Sequence, residues 1–232
     1  MKKGFIVLVL MVFASAALAG VVPVKQEKQW SGFYFGLNAG LARHEANWSD
    51  NDFDWYGGTL TNPYNTFLPG ATIGYNHQSG SLVIGFEVDG ALGLMENEIK
   101  YSLTDFPFFG SRGVTKTDKL EFLFTARGRL GFAIDKALFY LTAGVGLPRA
   151  AHTWIEFEDA PDSWQTFYNS NLGMVVGAGF EHRLGSGLTL KVEFLSFKNS
   201  PKSQPNLETP SPYYMSVDES VEVLRIGFNY LF

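Results

Sequence analysis

The sequence predicts an all-β protein, namely an eight-stranded antiparallel up-and-down transmembrane β-barrel. Three observations lead to this fold class. Eight segments alternate apolar and polar side chains, the connections between them are short and long in turn, and the last segment is amphipathic and ends at Phe232. Such segments suit a membrane barrel, where the apolar face contacts lipid and the polar face lines a lumen.

Period-two alternation marks the eight predicted strands. They cover residues 30–43, 68–77, 81–94, 119–134, 137–147, 171–183, 188–197 and 220–232. Most are close to the roughly 9 to 11 residues that a tilted strand needs to cross a bilayer. Their polar faces are rich in glycine, which leaves room for bulky neighbours inside a narrow barrel.

The connections differ in length at the two ends of the predicted barrel. Short turns with hairpin chemistry or length follow the second, fourth and sixth strands, at residues 78–80, 135–136 and 184–187. Long loops follow the first, third, fifth and seventh strands, at residues 44–67, 95–118, 148–170 and 198–219. This asymmetry predicts short periplasmic turns and four long extracellular loops, with both termini on the periplasmic side.

The N-terminal residues have the organisation of an export signal. Lys2 and Lys3 precede an apolar segment, residues 5–13, and a small-residue cleavage pattern that ends at Ala19. A retained membrane anchor is the alternative, but the apolar segment is far shorter than the roughly 20 residues of a membrane helix. We therefore predict a cleaved signal peptide over residues 1–19, a periplasmic segment over 20–29 and the barrel domain over 30–232.

Composition excludes several functions. The formal charge is −5 and becomes −7 once Lys2 and Lys3 are removed, which argues against a nucleic-acid binder that relies on phosphate neutralisation. The chain contains no cysteine, so neither a disulfide framework nor a lipid anchor at the signal junction is expected.

Strand parity places nine charged side chains on the predicted lumen face. These are Glu87, Asp89, Glu121, Arg127, Arg129, Glu181, Lys191, Glu193 and Arg225. Five acids nearly balance four bases, and an eight-stranded barrel has room only for side chains, so we expect a buried ion-pair network that plugs the lumen. Counting residues from the short turns pairs Glu87 with Arg127 and Glu193 with Arg225. A selective ion or solute path is the alternative.

Aromatic residues fall into two further groups. The first has the lipid-facing parity near the short turns and predicts a periplasmic aromatic girdle: Phe33, Tyr75, Phe132, Phe139, Phe180, Tyr230 and Phe232. The second lies in the predicted extracellular loops and contains Trp48, Trp55, Tyr56, Trp154 and Trp164. These loop residues are candidates for binding a ligand or a host surface; the alternative is that they form the outer girdle or pack the base of the loops.

Eight short stretches resemble the outer-membrane β-barrel family of small porin-like surface proteins, similar to the OmpA transmembrane barrel and the opacity proteins. They are residues 30–40 (WSGFYFGLNAG), 70–76, 85–90, 125–132 (TARGRLGF), 140–144, 176–181, 191–194 and 225–230. The aromatic residue at the end of the last strand also resembles the C-terminal signature of such proteins. The resemblance implies a place in the bacterial outer membrane, contact with outer-membrane lipid and lipopolysaccharide, and recognition by the barrel-assembly machinery through the C-terminal strand.

Enzymatic activity is not expected. Some small outer-membrane barrels resemble lipid hydrolases, acyl transferases or proteases, which need a histidine with a serine or aspartate near the outer leaflet. His77 and His182 border periplasmic turns, and neither His44 nor His152 lies in a His-x-Ser pattern. We expect these histidines to be interface or loop residues.

A metal site is not expected either. Asp50, Asp52 and Asp54 begin like a calcium loop, but Trp55 occupies the position that requires glycine, and no glutamate follows at the twelfth place. The sequence therefore predicts no metal and no cofactor.

Two function classes follow from the predicted barrel. The first is a structural and surface-interaction protein whose extracellular loops bind a host or cell-surface ligand; the second is a narrow porin that passes small solutes or ions. The strand number favours the first, because water-filled channels have about sixteen strands. A secreted lipocalin-type barrel would need an apolar interior, whereas Arg127, Arg129 and Arg225 share the glycine-rich face.

Overall fold

A computed structural model describes residues 29–50, 59–61, 63–101, 114–156, 164–199, 202–205 and 214–232. The predicted signal peptide and most of the predicted periplasmic segment lie outside these residues. Within them the chain forms β-strands and turns, and it contains no helix long and apolar enough to cross a membrane.

The described chain forms twelve strands. They are β1 (Gly32–Asp50), β2 (Thr59–Thr61), β3 (Tyr64–Ser79), β4 (Leu82–Leu92), β5 (Glu96–Tyr101), β6 (Val114–Ile134), β7 (Ala137–Glu156), β8 (Trp164–Asn169), β9 (Gly173–Gly185), β10 (Leu188–Asn199), β11 (Lys202–Pro205) and β12 (Tyr214–Leu231). Eight are long, and β2, β5, β8 and β11 are short.

The eight long strands form one closed antiparallel ring. Their order is β1-β3-β4-β6-β7-β9-β10-β12, and β12 pairs with β1 from Tyr34 opposite Leu231 to Asp50 opposite Met215. Closure leaves no open sheet edge, which a strand-built structure needs in lipid because hydrocarbon cannot satisfy unpaired backbone groups. The predicted eight-stranded up-and-down fold is confirmed.

The strands extend further at the long-loop end than predicted. Strand β1 continues to Asp50 and β7 to Glu156, while β2, β5, β8 and β11 pair with the outer ends of β1, β6, β7 and β12. The predicted long loops were therefore wrong in their bounds. Beyond the lipid level the outward face of a strand becomes polar, so the apolar alternation that marks a lipid-facing strand ends while backbone pairing continues.

The short turns close the opposite end of the barrel. The two-residue turn between β6 and β7 places Asp135 at a φ of 48°, a left-handed conformation that aspartate tolerates and that matches the twist of a hairpin. The turn between β9 and β10 uses Ser186 at 34° and Gly187 at 86°.

The outer surface carries an apolar belt. Side chains that alternate with the buried ones, among them Leu41, Ile84, Met174 and Ile226, are more than half exposed. The buried residues face the lumen and form the core, with an apolar cluster near the short turns (Trp30, Val83, Ala133, Leu138 and Tyr140) and a second one nearer the long-loop end. An exposed apolar belt around a partly polar interior is the arrangement of a membrane barrel.

Candidate functional site

Charged side chains fill the middle of the lumen. Because alternate residues of a strand share a face, β4, β6 and β10 each contribute two of them, and β9 and β12 contribute one each. The set is Glu87, Asp89, Arg127, Arg129, Glu181, Lys191, Glu193 and Arg225, and all eight are buried. We call it the lumen network.

Arg127 lies at the centre of the lumen network. Its Nη2 contacts Glu87 and lies 2.6 Å from Asp89 Oδ2, and its Nη1 lies 3.1 Å from Glu193 Oε1. Its Nε donates to the Thr125 hydroxyl at 2.9 Å. One guanidinium thus joins three carboxylates from two strands, which its fork of donors permits.

Arg225 links the opposite wall to the same carboxylates. Its Nε donates to Glu193 Oε2 at 2.7 Å and its Nη1 to Asp89 Oδ1 at 2.9 Å. Lys191 Nζ lies 3.1 Å from Glu87 Oε2. The two pairs expected from counting residues, Glu87 with Arg127 and Glu193 with Arg225, are therefore in contact.

Two tyrosines complete the network on the periplasmic side. The Tyr34 hydroxyl donates to Glu87 and the Tyr140 hydroxyl donates to Glu193, both at 2.8 Å. The Arg129 guanidinium lies 3.9 Å from the centre of the Tyr140 ring. Its Nη2 donates to Glu181 at 2.7 Å. Their rings occupy space that lumen glycines leave: a Cβ on Gly74 would overlap Tyr34, and one on Gly179 would overlap Tyr140. Strand parity in the sequence places both tyrosines on the lumen face, but they were not among the predicted members of the network.

Glu121 does not belong to the lumen network, and the prediction that placed it there was wrong. The register of β6 against β7 shifts between Leu120 and Phe122, a β-bulge that reverses strand parity at this point. The Glu121 side chain is 35% exposed and accepts a hydrogen bond from Arg149 Nε at 2.9 Å. Without it the network has four acids and four bases, so it is formally neutral.

An apolar layer separates the lumen network from the outer end. Residues from several long strands meet across the lumen there: Ala42, Leu68, Ala91, Leu120, Leu123, Val175, Leu195, Phe197, Val221 and Val223. A cavity of about 10 Å³ between this layer, Asp89 and Arg225 has room for about one water molecule. The described part of the lumen is therefore packed rather than water-filled.

A second polar cluster lies above the apolar layer, toward the long loops. His152 on β7 lies between Asp118 on β6, 2.7 Å from its Nδ1, and Glu219 on β12, 2.9 Å from its Nε2. Lys116 Nζ lies 2.9 Å from Asp118 Oδ2, and His44 Nε2 lies 3.7 Å from Glu219 Oε1. All five side chains are buried, and we call them the outer cluster.

The expectation that His44 and His152 are loop or interface residues was wrong. Both continue the lumen parity of β1 and β7 beyond the lipid level, where the hydrophobic alternation no longer marks a strand. Trp48 was also misplaced as a loop residue. It is buried on the lumen side of β1, with Lys116 Nζ 4.6 Å from its ring and His152 edge-on at 5.4 Å.

Electrostatics in the outer cluster favour charged side chains. On the outer surface near the height of the cluster, the exposed side chain is the charged Arg149 rather than an apolar one. The cluster therefore lies beyond the apolar belt. Burial alone would lower the pKa of His152, but hydrogen bonds with Asp118 and Glu219 outweigh it and raise the pKa. Burial would raise the pKa of both carboxyl groups, but His152 and neighbouring groups lower it instead.

The other predicted site residues fall in different places. Trp55 and Tyr56 lie outside the described residues. Trp154 and Trp164 belong to β7 and β8 rather than to loops, but the structure does not describe their side chains. Asp50 ends β1, while Asp52 and Asp54 lie outside the description, and no group of three or more His, Asp or Glu residues in the described part has a metal-binding arrangement.

The predicted girdle residues lie on the outer surface near the short turns. Phe132, Phe139 and Phe180 are register partners across three neighbouring strands, and Phe139 and Phe180 have ring centroids 5.0 Å apart. Phe33 contacts Tyr75 at 4.9 Å, and Tyr230 contacts Phe232 at 5.2 Å.

The fold and the packed lumen define a class: a small membrane β-barrel closed by its own side chains. Residues 5–216 match the family model of the outer membrane protein beta-barrel domain, and the chain belongs to this family. The family and its relatives place the protein in the bacterial outer membrane, as predicted.

Two relatives resemble most of the chain. The 31 kDa outer-membrane immunogenic protein of Brucella melitensis biotype 1 is 26% identical over 249 aligned positions that cover all of both chains. The 22 kDa outer membrane protein of Rhizobium leguminosarum bv. viciae is 27% identical and covers 90% of this chain and 82% of its own.

The crystal structure of the outer membrane protease OmpT from Escherichia coli is similar in fold. It covers 89% of this chain and 99% of its own with a TM-score of 0.51 and 10% identity. Identity this low relates the folds and carries no activity across.

Proposed function

We propose that this protein is a non-enzymatic surface protein whose outer end binds a partner at the cell surface, while its lumen serves stability rather than transport. The observation that carries this proposal is the double closure of the lumen by the neutral lumen network and the apolar layer above it. A packed lumen leaves the outer strand ends and the loops between them as the surfaces open to partners.

The relatives support a surface role. The name of the Brucella relative describes that protein as immunogenic, which implies exposure to an immune system. The partners that we propose for this chain are outer-membrane lipid and lipopolysaccharide around the belt, a host or cell-surface ligand at the loops, and the barrel-assembly machinery at the C-terminal strand.

The geometry of His152 supports the non-enzymatic part of the proposal. A general base needs a ring nitrogen that can reach a substrate. Both ring nitrogens of His152 face carboxylates within 3 Å. A catalytic histidine would have at most one such partner, as the orienting group of a triad.

Conductance separates this proposal from the narrow porin, the alternative function. We expect the refolded protein to insert into a planar bilayer without discrete single-channel currents, because buried charged and apolar side chains fill the described part of the lumen. Arg127→Glu probes the lumen, and Arg149→Glu is the matched control on the outer surface. A reproducible conductance that changes with the substitution at Arg127 and not at Arg149 would establish transport instead.

A further inference from the structure

The outer cluster joins two walls of the barrel that are not neighbours in the sheet. In the ring, β9 and β10 separate β7 from β12. The β7–β9 pairing ends at Gly146 opposite Gly173, and β10 ends at Asn199, whereas β7 continues to Glu156. The contact from His152 to Glu219 therefore crosses the mouth of the lumen where the shorter β9–β10 hairpin has ended.

Hydrogen-bond chemistry specifies the charge of His152. An ionised carboxylate only accepts hydrogen bonds, so a ring nitrogen within 3 Å of one has to donate. Asp118 and Glu219 occupy both ring nitrogens, at 2.7 and 2.9 Å. A neutral imidazole has one donor nitrogen, so the arrangement is satisfied only by the imidazolium form.

Charge balance leads to the same form. Two carboxylates, Asp118 and Glu219, face the Lys116 ammonium and the His152 ring inside one buried cluster. With His152 protonated these four groups sum to zero charge; the His44 ring, 3.7 Å from Glu219, is not counted in this sum. Loss of the proton leaves one buried negative charge in excess and sets a lone pair of the ring against a carboxylate, which a buried site does not tolerate without rearrangement.

We propose that Asp118, protonated His152 and Glu219 form a proton-dependent clamp that holds the β12 wall to the β6–β7 hairpin at the outer mouth. Glu219 is held less firmly in the clamp than Asp118. Asp118 keeps the Lys116 ammonium as a second ion-pair partner, 2.9 Å from its Oδ2, whereas the second basic group near Glu219 is the His44 ring at 3.7 Å. Neither Lys116 Nζ nor Glu219 Oε2 has a hydrogen-bond partner among the described residues. Deprotonation releases the Glu219 side chain before Asp118 and leaves the outer end of β12 held by its backbone pairing with β1 and β11.

Among the described residues, the polar groups and rings around His152 and its neighbour His44 lie on four strands. Asp118 and Lys116 lie on β6, Glu219 on β12, and His44 and Trp48 on β1. On β3, Tyr64 contacts the His44 ring at 5.2 Å, and burial raises the pKa of the Tyr64 phenol, so it stays neutral over the range considered.

The direction of the pH dependence follows from the shifted pKa values. Because the pKa of His152 is raised, the stabilisation is complete below about pH 6.5, the ordinary imidazole value, and is lost as the pH rises through the folded-state pKa. The lowered pKa values of Asp118 and Glu219 preserve the carboxylates until the pH falls below their ordinary range. Burial also lowers the pKa of Lys116, so loss of its charge adds to the opening at high pH. The clamp is therefore closed in mild acid and opens in alkali. This inference does not depend on which ligand the loops bind.

Two measurements on the protein in lipid nanodiscs test the clamp. Nitrogen-15 spectra of the histidine side chains, assigned with single His→Gln variants, should show His152 doubly protonated at pH 6.5 and titrating above the ordinary value. Amide exchange over residues 214–221, corrected for intrinsic rates, should become severalfold faster between pH 6.5 and 9.5, while exchange over residues 122–134 should not change.

Variants make the test specific. His152→Gln should exchange rapidly over residues 214–221 at pH 6.5 and show no further increase at pH 9.5. His182→Gln, at the short-turn end, should keep the parent behaviour. The clamp is ruled out if His152 is neutral at pH 6.5, or if the parent and His152→Gln share one pH dependence. If His152→Gln does not insert, the parent titration and exchange decide the question alone.

Discussion

Individual side chains in the lumen are held by several partners each, so the cost of removing one is larger than for a surface residue. Arg225 donates to both Asp89 and Glu193, and these carboxylates have no solvent to replace it. Arg149 makes a similar contact with Glu121, but its side chain is 52% exposed. Burial, rather than the distance between the charged atoms, makes the loss of Arg225 more costly than the loss of Arg149.

Arg225→Ala should lower the free energy of unfolding by about 3 to 5 kcal/mol, because two buried carboxylates lose a partner. Arg149→Ala, the matched control, should cost no more than about 1 kcal/mol. Urea unfolding in detergent micelles, followed by tryptophan fluorescence, measures both. Equal effects of the two substitutions would contradict a buried network at Arg225.

The lumen residues were predictable where strand parity runs unbroken from a short turn. Register counting was enough to bring Glu87 to Arg127 and Glu193 to Arg225. It was not enough at Glu121, because a bulge leaves no mark in the hydrophobic pattern. It was not enough at His152 either, because the strand continues beyond the level at which its outward face is consistently apolar. Extending the parity of β7 past Leu147 would have found His152.

Because several strands extend beyond the apolar belt, the loops available for binding begin further along the chain than the sequence predicted. Residues 44–50 and 214–219 were expected to be loop, yet they form the paired outer ends of β1 and β12 and carry Trp48 and Glu219 into the lumen. We therefore expect the binding residues to lie in the connections beyond these strand ends.

Replacing residues 51–58 or 206–213 with a short Gly-Ser linker should leave an inserted barrel whose gel mobility still changes on heating, because the strand pairs and lumen contacts among the described residues stay in place. Adhesion or antibody recognition of whole cells should fall. A matched deletion that extends into residues 45–50 removes Trp48 and should impair folding as well. Full retention of surface binding by both linker variants would contradict a role for these connections.

The location in the outer membrane requires export of the whole barrel, and we predict that its first residues direct that export. The cleavage pattern before Gly20 predicts a mature chain that begins there. Intact-mass analysis of protein extracted from the outer membrane should show the loss of residues 1–19, and Ala19→Arg should accumulate the precursor. A mature mass that includes residues 1–19 would refute the predicted signal peptide.

The seam between β1 and β12 has a consequence for the order of folding. It pairs Tyr34 with Leu231, residues separated by about 200 positions, so the ring closes only after the last strand is available. Such distant pairing carries a large loop-closure entropy and makes folding slow. We therefore expect the whole polypeptide to cross the inner membrane before the ring closes. Until closure, the apolar faces of its strands have to be shielded from water, and the protein depends on this shielding as much as on any contact in the finished barrel.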